Sequence, residues 1–156
     1  MPTFERSIEI NAPIQSVFDF HMDARNALRI ASSGQKFASI DGEFPLVEGA
    51  EIVIKIRQAP LPIAQTWRVR VVEIVEPVVV VDELLKGPFA YFRHEHRFAP
   101  AASGGTVLTD HIRWKLPAGP VGRLLEPFVS RLLTKSFTER QVATKRILEA
   151  AAMQCR

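Results

Sequence analysis

From Lys36 to Leu116 the apolar residues of this chain recur mainly at every second position, and from Val121 onward they recur every third or fourth. That change of period restricts the fold more than any other feature. A period of two belongs to strands and a period near 3.6 to helices. The chain must therefore join a block of strands to one long C-terminal helix.

The strand block divides at its turn residues. Phe37–Ile40 is short. Ala50–Arg57 sets Ile52, Ile54 and Ile56 against Glu51, Lys55 and Arg57, and Pro60 and Pro62 mark the turn after it. Ala64–Val75 is long and β-branched, and Glu76-Pro77 separates it from Val78–Leu85, whose four leading valines imply burial on both faces. Ala90–Phe98 follows Gly87-Pro88, and Thr106–Leu116 follows Ser103-Gly104-Gly105. Such short connections make hairpins, so the sheet is antiparallel. Upstream, residues 3–10 alternate as a half-buried strand. Asn11-Ala12-Pro13 then opens a short helix carrying Ile14, Val17, Phe18 and Met22. A second short helix is expected at about 23–31, ended by Ser32-Ser33-Gly34.

In the C-terminal segment Val121, Leu124, Leu125, Phe128, Leu132, Leu133 and Phe137 keep helical spacing. Proline is unfavourable in a helix interior, so the main helix is expected to start near Pro127 and run to about 152, with 120–126 as a preceding turn. At 1.5 Å per residue it would be roughly 39 Å long. Arg131, Lys135, Arg140, Lys145 and Arg146 fall mostly off its apolar stripe, as a solvated face would. The fold class is thus α+β. A curved antiparallel sheet of about six to seven strands wraps a long C-terminal helix, with two short helices after strand 1, in a single domain over 1–156. A curved sheet closed by one helix encloses a space, and a space left unfilled is a cavity.

Composition serves to exclude. Of 156 residues, 47% are hydrophobic and 24% charged, which rules out a disordered chain. No apolar run approaches the roughly 18 residues of a membrane span. The first residues carry Glu5 and Glu9 and no apolar core, so no signal peptide is expected. One cysteine, Cys155, makes neither an internal disulfide nor a thiolate metal site, and cytoplasmic residence is expected. The net charge is +3: 13 basic and 14 acidic residues up to Gly119 give −1, and 7 basic and 3 acidic after it give +4. That excess, without a phosphate loop, zinc-finger spacing or RNA-binding aromatic signature, does not indicate nucleic acid. It could touch anionic headgroups, but the apolar stripe of the helix is needed for the core, so a membrane contact has weak support. The sequence carries no signal for an oligomeric state.

Four stretches resemble a known superfamily. Ile8-Glu9-Ile10-Asn11-Ala12-Pro13-Ile14-Gln15-Ser16-Val17-Phe18 looks like the opening of the START and birch-pollen-allergen-like (SRPBCC) superfamily, whose members have the helix-grip fold. Gly87-Pro88-Phe89, His94-Glu95-His96-Arg97-Phe98 and Thr106-Val107-Leu108-Thr109-Asp110 are similar to its polyketide cyclase/dehydrase-like branch. The resemblance implies a cavity for a small hydrophobic molecule, lipid-, polyketide- or isoprenoid-like, with no cofactor. It leaves three functions open: ligand binding, a cyclase or dehydratase, or a lipid or quinone carrier.

Strand parity selects the candidate site. His94, His96 and Phe92 share one face of their strand, opposite Arg93, Glu95 and Arg97, so they look inward. Asp110, Ile112 and Trp114 look inward from the next strand, and a turn near 101–104 brings His94 or His96 beside Asp110. Such a trio could move a proton, as aldol cyclisation and dehydration require, or could equally be a satisfied structural network. Two imidazoles on one face could begin a metal site, but no third ligand is in view, so no metal is expected. His21 and His111 are weaker candidates. Trp67, Val69, Phe92, Ile112, Trp114, Phe128 and Leu132 are expected to line the ligand space, where core packing would explain them too. The connections 41–49 and 58–63 are candidate gates.

Overall fold

The computed structural model describes residues 1–156 and shows the expected strand block as one seven-stranded sheet. The strands are β1 Thr3–Ile10, β2 Gln35–Asp41, β3 Glu51–Gln58, β4 Ala64–Val75, β5 Val79–Lys86, β6 Tyr91–Pro100 and β7 Thr106–Lys115. Their order across the sheet is β1-β7-β6-β5-β4-β3-β2, antiparallel throughout. Helix α1, Ile14–His21, follows β1 and buries Val17, Phe18 and Phe20. The second short helix is only a 3-10 turn, Ala24–Leu28, begun where the Asp23 side chain accepts the Arg25 backbone N–H. Its short run has no buried residue to anchor a longer helix. The expected burial on both faces holds at Val80 and Val81, which have opposite parity and are both buried, but not at Val78, which is half exposed at the turn.

Helix α2 runs from Gly119 to Gln154 and contains Pro127. The expected break at Pro127 does not occur. The carbonyl left without a donor is that of Arg123, an exposed residue that water can serve. The start is fixed earlier, by Ala118 and Gly119, both at positive φ. Gly122 then packs on the preceding loop, where any Cβ would lie 2.2 Å from the Pro117 carbonyl oxygen. At 1.5 Å per residue α2 is roughly 54 Å long.

The interior is not one continuous core. Ile10, Val17, Phe18, Phe98, Leu108 and Leu148 form one cluster, Ile40, Leu46, Ile52 and Val71 a second, and Phe92, Ile112, Trp114 and Phe137 a third. Residues of all three border a cavity of about 370 Å³ between sheet and helix. The sheet curves away from α2 faster than side chains fill the gap.

Candidate functional site

The β6–β7 hairpin builds the centre of the site. Its register pairs His96 with Asp110 and His94 with Ile112, so both imidazoles reach the carboxylate from one face. His94 Nε2 lies 2.8 Å from Asp110 Oδ1, and since an ionised carboxylate only accepts, Nε2 carries the proton. The other oxygen, Oδ2, accepts from Gln141 Nε2 at 2.6 Å. Gln141 also donates to the Arg6 carbonyl and accepts from Arg6 Nε, which ties the helix to β1. Burial pushes the Asp110 carboxyl up, but the His94 hydrogen bond and the neighbouring His96 outweigh it and hold the group well below the usual carboxylate range.

His96 is placed differently. Its Nδ1 is 2.8 Å from Asp110 Oδ1 but is not aligned for a hydrogen bond, and it is a buried nitrogen without a partner. Burial, and then His94 with its ring centroid 3.9 Å away, lower the His96 pKa. His21, from α1, packs its ring 4.7 Å from that of His96. Its Nδ1 donates to the Val17 carbonyl at 2.7 Å, and burial, with His96 alongside, lowers its pKa to about 3. The ring is neutral and lines the cavity.

Two further residues complete the cluster and escaped the sequence reading. Asp82, on β5 opposite His94, lines the cavity with its Oδ2 3.9 Å from His94 Nδ1. Burial raises its pKa to about 6. Parity with Val80 and Leu84 was the signal, masked by the valine run before it. Arg140 was assigned to the solvated helix face, yet it lines the cavity, with its guanidinium 5.0 Å from the Phe137 ring centroid. The cavity line of α2 includes Leu133, Ser136, Phe137, Arg140, Gln141 and Thr144, and Arg140 sits within it.

The expected lining divides. Trp67, Val69, Phe92, His94, His96, Asp110 and Leu132 border the cavity. Ile112 and Trp114 are buried at 0% and 1% exposure, packed with Phe92 and Phe137 in the third core cluster, and only the two phenylalanines of that set line the cavity. Phe128 is 50% exposed and outside the lining. At about 100° per residue, Val121, Leu124 and Phe128 follow a line roughly a third of a turn round from Val129, Leu133 and Arg140. The single stripe read from sequence was two. His111 is on the outer face, among Glu95 and Arg97. Leu46 and Leu61 carry the 41–49 and 58–63 connections to the cavity edge.

Asp82, His94 and His96 each offer one atom within 4.8 Å of the others, so Asp82 supplies the third metal-ligand type that the sequence lacked. The Arg140 guanidinium acts on the same carboxylate, and its charge opposes a cation there. A hydrogen-bonding or proton-handling cluster fits these charges better than a metal centre does.

A family profile described as polyketide cyclase/dehydrase and lipid transport matches residues 1–149. No curated protein sequence matches the chain. Solved structures share its fold. Protein TTHA0849 from Thermus thermophilus superimposes with a TM-score of 0.78 at 15% identity, over 97% of this chain and 99% of that one. The di-domain ARO/CYC StfQ from the steffimycin biosynthetic pathway gives 0.76 at 14% identity, over 96% of this chain and 51% of that one. A START superfamily protein from Mycobacterium smegmatis gives 0.65 at 14% identity, over 99% of both chains. No helix of the structure is long and apolar enough to cross a membrane.

Proposed function

The chain belongs to the polyketide cyclase/dehydrase and lipid-transport family, and on that premise we propose that it binds one small, largely apolar molecule between its sheet and α2. The observation that carries this reading is the cavity itself. It holds about 370 Å³, and 22 of its 37 lining residues are hydrophobic. That volume lies within the range of about 300–1,000 Å³ usual for small-molecule sites. Its buried ionisable groups, Asp82, His94, His96 and Asp110, and Arg140 gather at one place in the lining, so a ligand would be oriented with its apolar body along Trp67, Val69, Phe92 and Leu132 and a polar group toward His96 and Arg140. Native mass spectrometry of the purified chain, with extraction and identification of what it carries, tests this. One apolar molecule per chain is expected. A bare chain that also fails to take up any of a panel of apolar probes would overturn it.

A second reading adds chemistry, as in the cyclase named among the structural neighbours. It is favoured by the His96 ring, which lines the cavity with its Nδ1 turned toward Asp110 at 2.8 Å and His94 beside it. A neutral imidazole there could take a proton from a carbon beside a ligand carbonyl. Benzoylacetone offered in D2O should exchange its methylene protons faster with the wild type than with His96→Gln. Equal rates would remove the enzymatic reading and leave ligand binding intact.

A further inference from the structure

We propose that the molecule taken by this cavity is an apolar acid whose carboxylate is held by the guanidinium of Arg140. The proposal rests on the ligand-binding reading above and names the chemical class of the ligand.

A guanidinium stays charged inside a protein and brings five N–H donors, so burying it without partners is costly. Nearly every other charged group near the cavity is accounted for. Asp110 has one oxygen on His94 and the other on Gln141. His21 is neutral and donates to Val17. Arg140 differs. No carboxylate oxygen lies within salt-bridge distance of it, and its side chain makes no hydrogen bond. Asp110 and Asp82 act on it only through space. Its guanidinium lies over the Phe137 ring, 5.0 Å from the centroid, a contact that helps orient the fork. The guanidinium nitrogens are not sealed among protein atoms, and the residue borders the cavity. A half-buried, unpaired fork bordering a largely apolar cavity is complementary to a carboxylate, which it would bind bidentately.

The surrounding charge sets the valence of the ligand. Two carboxylates, Asp82 and Asp110, stand near this single cation, so repulsion grows with ligand charge and disfavours a dianion such as a phosphate monoester more than a monoanion. Once Asp82 holds a proton, Asp110 and Arg140 balance and a monoanion meets no net repulsion. Burial has already raised the Asp82 carboxyl to about 6, so it is the member that most readily takes up a proton when a second acid enters.

The test compares two probes of equal shape, 2-naphthoic acid and 2-naphthalenemethanol, by calorimetric titration of the full chain. The wild type should bind the acid at least tenfold more tightly than the alcohol. Arg140→Met should lose about tenfold or more for the acid while holding the alcohol within about twofold. Arg140→Lys, which keeps the charge and loses the fork, should fall between them. Retained alcohol binding shows that each variant is folded. Equal affinities of wild type for both probes, or an acid affinity unchanged in Arg140→Met, would overturn the proposal and spare the cavity. Failure of the wild type to bind either probe would overturn both readings.

Discussion

The two halves of α2 are built from the same alphabet and do opposite things. Before Val129 the helix presents Val121, Leu124, Leu125 and Phe128 to solvent, and Leu124 is 81% exposed. After it the helix buries Phe137 and Leu148, but also Ser136, Gln141 and Thr144, with Gln141 at 1% exposure. Along this helix some of the most apolar residues are outside and several polar ones are inside. Exposed leucines are common on protein surfaces and need no partner, whereas buried polar groups always need one. The polar residues of the second half therefore locate the site, and the apolar residues of the first half do not.

The contrast is testable by substitution, and the largest effect belongs to Phe137. It is 6% exposed and stacks near Phe4 and His94, so Phe137→Ala should cost about 3–5 kcal/mol in urea unfolding. A cost below about 1 kcal/mol would mean that the second half of α2 is not packed as described.

Asp82 should give an effect of opposite sign. Its carboxyl has a raised pKa in the folded chain, so the folded state holds its proton more tightly than the unfolded one. Stability from this group falls as pH rises from about 4 through about 6. His21 runs the other way in an overlapping window: its lowered pKa makes stability fall as pH drops from about 6.5 toward 3. Asp82→Asn isolates the first term. At pH 7 it should be more stable than the wild type by about 2–3 kcal/mol, and the difference should vanish near pH 4. A variant less stable than wild type at pH 7 would place a counter-charge on Asp82.

Gln141→Leu should cost about 1–3 kcal/mol, since it strands Asp110 Oδ2 and the Arg6 carbonyl without their donor. Leu124→Ser, in the other half, should change unfolding free energy by less than about 0.5 kcal/mol. A Leu124 effect as large as that of Gln141 would erase the distinction between the halves.

The same contrast explains what could be read from sequence. The antiparallel sheet, the grip of one long helix and the His94–His96–Asp110 convergence follow from strand parity and hairpin spacing, which are local. Asp82 is equally local but was hidden by Val78–Val81, whose run obscured the alternation. Arg140 and Phe128 were misplaced for a different reason. Periodicity shows which residues share a face, and where two faces overlap along 36 residues only the sheet decides which is covered. Pro127 misled because an exposed carbonyl can lose its donor to water at little cost. The division between lining and filling, which separated Trp67 from Trp114, depends on the curvature of seven strands together.

The central claim, that an apolar molecule sits inside and not on the exposed face of α2, can be measured directly. With methyl-labelled protein and saturating 2-naphthalenemethanol, intermolecular nuclear Overhauser effects should connect the naphthalene protons to the methyls of Val69, Leu132 and Leu133. Effects confined to Val121, Leu124 and Leu125, or none at all, would contradict the account.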